Sequence, residues 1–287
     1  MALTTLANYT TDVQRLLHDS SFQFWTQTEL TDYINSGRNR TVRDTACVRT
    51  TQVCNISTNV ESYAFGSVTG AIINSGGSGY SSAPSVTITG GTGSGATATA
   101  TITNGAVTQV NITNGGTGYS VLTQGAVAPS VVFGSGTASA TATVLDTQAI
   151  DCVGITYIFG SSRLALQYRP WREHNAKYRY FVSNIGRPEV FSVYAYTTVY
   201  IWRLPDQPYL TEFDVVVLPR PLIDNTTLEV VPYIFQDPVK YYAAYLAKQK
   251  SQQHREADEF LQRYKQSMMA CLASVMTKRT RSEYYAW

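Results

Sequence analysis

The sequence predicts an α+β protein. Helices from both chain ends form a bundle, an antiparallel β-sheet or sandwich lies between them, and an all-β domain of two repeats is inserted. Three observations lead to this prediction. Apolar residues recur at helical spacing near both ends of the chain, aromatic runs of strand character follow residue 146, and a glycine-rich passage without charge precedes them.

The amino-terminal segment predicts two helices. In TDVQRLLHD, Val13, Leu16 and Leu17 share one face of a helix, and His18 stands at its end, where the helix dipole favours it. The second helix begins with a capping box, because Thr26 precedes Glu29 by three residues.

The passage from Ser62 to Leu145 contains no Asp, Glu, Lys or Arg. It holds sixteen of the twenty glycines and repeats itself: GGSGY at 76–80 returns as GGTGY at 115–119, and APSV at 83–86 returns at 128–131. Alternating Val, Ile, Ala and Thr predict strands, and Thr103–Gly105 predicts a hairpin turn. A flexible linker would not need Val and Ile in phase. We therefore predict two small β units that share one apolar layer.

The region after the glycine-rich passage predicts aromatic strands, separated by turn signals at Gly160–Ser162, Pro205–Pro208 and Pro219–Pro221. The predicted strands are GITYIFG, ALQYRPW, FSVYAYTTVYIWRLP and FDVVVLPRPL. Asp237 then predicts an N-cap with proline at the first helical position. A last helix follows from Glu256, with an apolar stripe formed by Phe260, Leu261, Tyr264, Met268, Leu272, Val275 and Met276.

These changes of pattern divide the chain into five predicted segments. They are a body with amino-terminal helices (1–65), the inserted glycine-rich β-repeat domain (66–145), the β-sheet of the body (146–236), its carboxyl-terminal helices (237–277) and a tail (278–287).

Composition excludes several classes of protein. The net charge of +2 is not that of a nucleic-acid reader, and no apolar run reaches the roughly 18 residues of a membrane span. The amino terminus lacks the pattern of a secretory signal. The four cysteines are scattered, without the spacing of a zinc or redox site, which predicts free thiols in a protein made in a reducing compartment.

The sequence predicts no enzyme active site, no cofactor site and no metal site. Of three histidines, His174 lies in WREH beside Glu173, a pattern that we interpret as a surface turn because no nucleophile or second base stands near it. The glycine passages lack the lysine and Ser/Thr of a P-loop, and neither a calcium loop nor a His/Cys cluster is present in the sequence.

Two long stretches resemble a known family. The amino-terminal stretch is MALTTLANYTTDVQRLLHDSSFQFWTQTELTDYINSGRNRTVRDT. Later stretches include VGITYIFGSSRLALQYRPWREHNAKYRYFVSNIGRPEVFSVYAYTTVYIWRLPDQPY and DPVKYYAAYLAKQK. Together they resemble head-to-tail adaptor (head completion) proteins of tailed bacteriophages over most of residues 1–62 and 147–277. The doubled passage separately resembles small repeats of phage structural proteins.

The resemblance implies a structural virion protein at the head–tail junction, made in the host cytoplasm. It implies a homo-oligomeric ring, of about twelve copies, that binds the portal protein and a downstream tail or nozzle protein. DNA would pass through its channel without sequence-specific contacts. A decoration protein that binds carbohydrate or another surface through the β-repeat domain is the alternative.

Three sets of residues are candidate contact surfaces. Arg38, Arg40, Arg43 and Arg49 form either a solvated helix face or a surface for DNA or an acidic neighbour. Tyr80 and Tyr119 occupy matching places in the two repeats, where they either stack on sugars or, as we favour, pack in a small core. The tail is either a frayed terminus or a portal-binding segment with basic and aromatic anchors, namely Lys278, Arg279, Arg281, Tyr284, Tyr285 and Trp287.

Overall fold

The computed structural model describes residues 4–122, 127–179 and 184–276. Within these ranges the chain is mixed α+β, as predicted. It divides into two compact units. The helical unit comprises the residues up to Val48 together with those from Leu218 onward, and the β unit comprises Arg49–Val217.

The helices of the described ranges are α1 (Leu6–Leu17), α2 (Gln27–Thr45), α3 (Trp171–Glu173), α4 (Asp237–Lys250) and α5 (His254–Met276). A π-helical turn, His174–Tyr178, continues α3, and a 3-10 turn, Tyr233–Phe235, precedes α4. The strands are β1 (Arg49–Ile56), β2 (Ser62–Ala64), β3 (Ser67–Ser75), β4 (Ser85–Thr89), β5 (Ser94–Thr103), β6 (Ala106–Thr117), β7 (Ser130–Phe133), β8 (Ser139–Leu145), β9 (Ala149–Phe159), β10 (Ser162–Ala165), β11 (Gln167–Tyr168), β12 (Ile185–Gly186), β13 (Val190–Tyr194), β14 (Thr198–Trp202), β15 (Leu204–Pro205) and β16 (Tyr209–Val217).

The predicted helix ends are largely confirmed. The Thr26 hydroxyl accepts from the Glu29 N–H and the Glu29 carboxylate accepts from the Thr26 N–H, so the capping box is present. His18 ends α1 in a left-handed conformation. The expected N-cap at Asp237 is wrong by one residue: Asp237 is the first residue of α4, and Gln236 stands at the N-cap position without a side-chain capping bond. Asp237 instead accepts a hydrogen bond from the Ser267 hydroxyl of α5.

The helical unit has a core drawn from both ends of the chain. Helix α4 packs against α1, α2 and α5. The Cα of Gly37 faces the Val239 carbonyl so closely that a β-carbon would lie 2.9 Å from its oxygen, which lets α2 and α4 approach. The buried core residues are Leu6, Tyr9, Val13, Leu17, Trp25, Leu30, Ile34, Leu222, Val239, Ala243, Ala244 and Ala247. No described helix is apolar over a sufficient length to cross a membrane.

The β unit contains two four-stranded sheets, a six-stranded sheet and the small parallel pair β12–β15. The first four-stranded sheet has the order β1-β16-β9-β10 and is antiparallel throughout. The second has the order β11-β13-β14-β2, with β11 parallel to β13 and the other pairs antiparallel. The turn predicted at Gly160–Ser162 joins β9 to β10, which begins at Ser162, and the one at Pro205–Pro208 follows β15, which ends at Pro205, and precedes β16.

One predicted strand is a hairpin. The run FSVYAYTTVYIWRLP, interpreted as continuous, forms β13 and β14, which pair around the residues between Tyr194 and Thr198. Ala195 and Tyr196 occupy the left-handed region, with φ of 51° and 56°. Such a turn normally contains Gly, Asn or Asp, so the sequence carries no turn signal here.

The glycine-rich passage forms the six-stranded sheet, in the order β3-β8-β7-β4-β5-β6. The first repeat supplies β3, β4 and β5, and the second supplies β6, β7 and β8. Strand β3 pairs with β8, β6 pairs with β5, and β4 pairs with β7 at the centre of the sheet. Its end strands also meet, because the Val107 N–H donates to the Gly76 carbonyl at 2.8 Å, so the sheet nearly closes into a barrel. The predicted hairpin turn is confirmed, with Asn104 and Gly105 both at positive φ between β5 and β6.

This six-stranded sheet is joined to β1 by hydrogen bonds. Asn55 of β1 donates its backbone N–H to the Thr143 hydroxyl and its side-chain amide to the Ala71 carbonyl. The buried Ser57 hydroxyl donates to the Thr69 carbonyl. Asp146, fully buried where the passage ends, accepts from the backbone N–H groups of Val121 and Leu122 and from the Ser120 hydroxyl, while its own N–H donates to the Gln52 side chain.

Candidate functional site

The arginines proposed for a DNA channel differ in their surroundings. Arg38 is buried and forms an ion pair with Glu229 at 2.7 Å, so its assignment to a contact surface is wrong: the guanidinium has no face left for a partner. Arg40 pairs with Asp44 on α2.

The other two members of this set are exposed. Arg43 is exposed, and no ion pair involves it among the residues that the structure covers. Arg49 pairs with Asp214 of β16 at 3.6 Å, with each side chain about half exposed. The set therefore does not form one continuous basic row.

The two matching tyrosines are core residues of the six-stranded sheet. Tyr80 is 9% exposed and Tyr119 is 2% exposed, so their rings are not open to stack on a sugar, and the packing interpretation is the one that fits. The Tyr80 hydroxyl donates to the Ser135 carbonyl and accepts from the Ala138 N–H. The backbone N–H of Tyr80 donates to the Gly105 carbonyl, and that of Tyr119 donates to the Gly66 carbonyl.

The predicted portal-binding tail cannot be compared with the structure. Lys278, Arg279, Arg281, Tyr284, Tyr285 and Trp287 all lie outside the described residues.

A different group of side chains comes together on the second four-stranded sheet. The segment Trp171–Arg179 lies across the face of β13 and β14 on which Tyr194, Tyr200 and Trp202 stand. Trp171 contacts Tyr194 and Tyr200, with ring centroids 4.6 and 4.5 Å apart, and Tyr178 contacts Trp202 at 4.7 Å. We call Trp171, Tyr178, Tyr194, Tyr200 and Trp202 the aromatic cluster.

An arginine and a carboxylate border the aromatic cluster. The Arg179 guanidinium lies over the rings of Trp171 and Tyr200, at 5.6 and 5.3 Å from their centroids. Its Nε donates to the Glu61 carboxylate at 2.7 Å and its Nη1 donates to the Asn175 side chain at 3.3 Å. Glu61 is held there by the sheet, because its carbonyl accepts from the Ile201 N–H of β14.

His174 is enclosed by the aromatic cluster. Its ring lies 5.8 Å from those of Trp171 and Tyr178, and its side chain is fully buried. The interpretation of WREH as a surface turn is therefore wrong for His174: the segment is helical, and the histidine points into the protein. Burial is the main cause that lowers the pKa of His174 below its ordinary value of 6.5, and Arg179 also lowers it, while Glu61 acts in the opposite direction.

Buried polar atoms without a hydrogen-bond partner are concentrated in and around this cluster. Across the described part of the chain they include both ring nitrogens of His174, the indole N–H of Trp202, the Nε of Arg203 and the hydroxyl of Ser192. Native proteins pair nearly all buried polar groups, so these atoms are available to pair with a small polar partner such as water.

Two cavities open beside the cluster. The larger has a volume of about 510 Å³ and is lined by Asn59, Glu61, Asn175, Ala176, Tyr178, Arg179, Asn184, Ile201, Trp202 and Leu204. The smaller, of about 320 Å³, is lined by Tyr157, Leu164, Ala165, Gln167, Tyr178, Pro188, Glu189, Val190 and Trp202. Both fall in the size range of small-molecule sites.

The polar side chains of the larger cavity include three amides, a carboxylate and a guanidinium. The described residues that line it include no Ser, Cys, Lys or His, and its carboxylate is held by Arg179. Among the residues covered by the structure, no group of three or more His, Cys, Asp or Glu side chains is placed to hold a metal ion. The aromatic runs in the sequence predicted the strands β13 and β14, but they did not predict that the helical segment Trp171–Arg179 would cover them.

Comparisons with known proteins leave the family open. No protein-family model matches the chain, and no curated protein matches it.

Proposed function

We propose that this chain is a head-to-tail adaptor of a tailed-phage virion. In this proposal it forms a ring of about twelve copies that binds the portal protein on one side and a tail or nozzle protein on the other. DNA passes through the ring without sequence-specific contacts. The observation that carries the proposal is the resemblance over most of residues 1–62 and 147–277, the two parts of the chain that flank the glycine-rich passage.

The helical unit is consistent with this resemblance. Its core combines Val13 and Ile34 from the first matching stretch with Val239 and Ala243 from the second, so the two stretches behave as parts of one body. An inserted domain is expected to leave such a shared core intact.

The surface of the helical unit also supports a role in assembly. The segment before α4 exposes several large apolar side chains, with Ile223, Leu228 and Tyr233 each about 65% exposed. In the loop before α2, Phe24 is 78% exposed. Where exposed apolar side chains adjoin in a patch they mark a protein–protein contact surface, and these four are candidates for one.

Electron microscopy of the purified protein mixed with portal rings tests the proposal. We expect a ring of this protein at the portal, and in virions we expect it at the neck. Protein found only on capsid faces or at a fibre tip would contradict the proposal and favour the decoration protein. That alternative loses its two candidate aromatics, because Tyr80 and Tyr119 are buried.

A truncation tests the role of the tail. Cutting the chain after Met276 removes Tyr284, Tyr285 and Trp287, and the loss of one aromatic anchor costs about 2 kcal/mol or more in an interface. We expect a folded protein that no longer joins the portal. Tyr196→Ala, which removes a tyrosine that is 72% exposed in a hairpin turn, is the control and should still join. If the truncated chain binds portal rings as tightly as the full chain, the tail is not the anchor.

A further inference from the structure

The two cavities beside the aromatic cluster share two of their walls. Tyr178 and Trp202 line both, and the two rings are in contact with each other. A ligand in either cavity would therefore lie against the same two rings. We call the two cavities together the aromatic groove.

The polar side chains of the aromatic groove supply both hydrogen-bond donors and acceptors. Asn and Gln side chains each carry a donating amide and an accepting oxygen, and carboxylates only accept. The larger cavity presents three asparagines and the smaller one glutamine, namely Asn59, Asn175, Asn184 and Gln167. A ligand that matches such a lining must itself donate and accept at many points, as hydroxyl groups do.

Charge in the aromatic groove is balanced. Glu61 of the larger cavity is paired with Arg179 at 2.7 Å, and Glu189 of the smaller one is paired with Arg203 at 3.3 Å. Nucleic-acid backbones need an excess of positive charge, and here a carboxylate stands in each cavity to repel phosphates. The groove therefore favours a neutral ligand over a polyanion.

We infer that the aromatic groove binds a neutral oligosaccharide. Tyr178 and Trp202 are partly exposed, and the Lys177 ammonium and the Arg203 guanidinium lie over their rings at 5.6 and 5.5 Å. A pyranose would take the place of these cations, since aromatic faces carry partial negative charge and C–H groups partial positive charge. The amides of Asn175 and Asn59 and the carboxylate of Glu61 would hold sugar hydroxyls. This site lies on the second four-stranded sheet, away from the buried Tyr80 and Tyr119, and it does not rest on the formation of a ring.

Binding of defined neutral hexasaccharides to the full chain tests this inference. Maltohexaose, cellohexaose and chitohexaose are titrated while saturation-transfer NMR detects the bound sugar. We expect at least one of them to bind with a dissociation constant below about 10 mM. If none of the three binds at about that concentration, the inference is wrong.

Variants then locate the binding. Trp202→Ala removes the ring shared by both cavities, and Asn175→Ala removes an amide from an exposed residue, so the second variant is expected to fold even if the first does not. Each should weaken binding by about tenfold or more. Tyr196→Ala, outside the groove lining, should leave it unchanged. Binding that survives both groove substitutions would place the sugar elsewhere and overturn the inference.

Two further measurements separate the outcomes. A single-stranded oligonucleotide is titrated against the same variants. If Asn175→Ala weakens its binding but not the binding of the hexasaccharides, the groove is a nucleic-acid site and the inference is overturned. Portal association is measured on the same variants. We expect it to be unchanged by Asn175→Ala, so a failure of the saccharide site does not count against the adaptor, and a failure of the adaptor does not count against the saccharide site.

Discussion

Replacing Arg38 with methionine removes the cation from a buried ion pair. The guanidinium donates from Nε and Nη2 to the two carboxylate oxygens of Glu229, at 2.9 and 2.7 Å, and from Nη1 to the Asn35 side chain and the Arg220 carbonyl. Both side chains of the pair are 1% exposed. The change therefore leaves a buried carboxylate with the Val231 N–H as a donor and the Tyr9 hydroxyl beside it.

The expected cost is about 3–5 kcal/mol, because breaking a buried pair from one side leaves an uncompensated charge. Glu229→Leu should cost somewhat less, since Arg38 keeps its bonds to Asn35 and Arg220. The double variant Arg38→Met/Glu229→Leu removes both charges and should lie within about 1–2 kcal/mol of the wild type. The cycle then gives a coupling of about 5 kcal/mol in favour of the pair, which is the two single losses less the loss of the double variant.

Urea unfolding followed by circular dichroism at 222 nm measures these differences, because the pair lies in the helical unit. Arg38→Lys, which keeps the charge but not the planar fork, serves when Arg38→Met does not fold, and should lose about 1–3 kcal/mol. If Arg38→Met costs less than about 1 kcal/mol, the side chain is not held as described. An Arg38 with a DNA-binding role would then regain support.

Three further outcomes follow from other parts of the molecule. Gly136→Ala should lower the free energy of unfolding by more than about 2 kcal/mol, because its φ is +80° and a β-carbon would overlap the Tyr80 ring. The control Gly79→Ala has the same φ but open space around it, and should lose about 1 kcal/mol in urea unfolding. Equal losses would contradict the packing argument. Burial lowers the pKa of His174, so as the pH falls through 6.5 the histidine of the unfolded chain is protonated before that of the folded chain. The free energy of unfolding is therefore unaffected by His174 above that pH and declines below it. Thermal unfolding of His174→Leu should show a weaker acid loss than the wild type, and an identical loss would assign it to other groups. Replacing residues 66–145 by a short Gly/Ser turn should preserve the helical circular dichroism signal. The ends of the segment lie close enough for a short turn to join them, because the Gly66 N–H donates to the Leu145 carbonyl. An insoluble product would mean that the repeats belong to the core of the body.

Local signals in the sequence predicted the features that depend on neighbours in the chain. The capping box at Thr26 and the Asn104–Gly105 turn are fixed by residues a few positions apart, and both are present. The turn at Ala195–Tyr196 was missed because neither residue favours positive φ on its own. Pairing with β14 imposes the conformation from outside the turn.

The features that the sequence did not predict depend on distant partners. The sequence around Arg38 predicts a surface charge, but its partner Glu229 stands 191 residues later in the chain. His174 follows two charged residues and is buried against Tyr200 of β14 and the rings of Trp171 and Tyr178. No property of either local segment distinguishes these cases from an exposed side chain, because burial is decided by what packs on top. The aromatic groove was missed for the same reason.

The exchange of strands between the two glycine-rich repeats has a consequence for synthesis. Strand β3 pairs with β8, whose partner residues are made 64 to 78 positions later, as in the pairs Ser75–Ser139 and Ser67–Leu145. On the ribosome the first repeat therefore waits with an open edge until the second has been translated, while β4 and β5 can already pair with each other. During that interval the open edge can pair with the same edge on a nascent neighbour. Polysomes, where identical chains emerge side by side, are where such mispairing would arise, and slower translation of the second repeat should increase it.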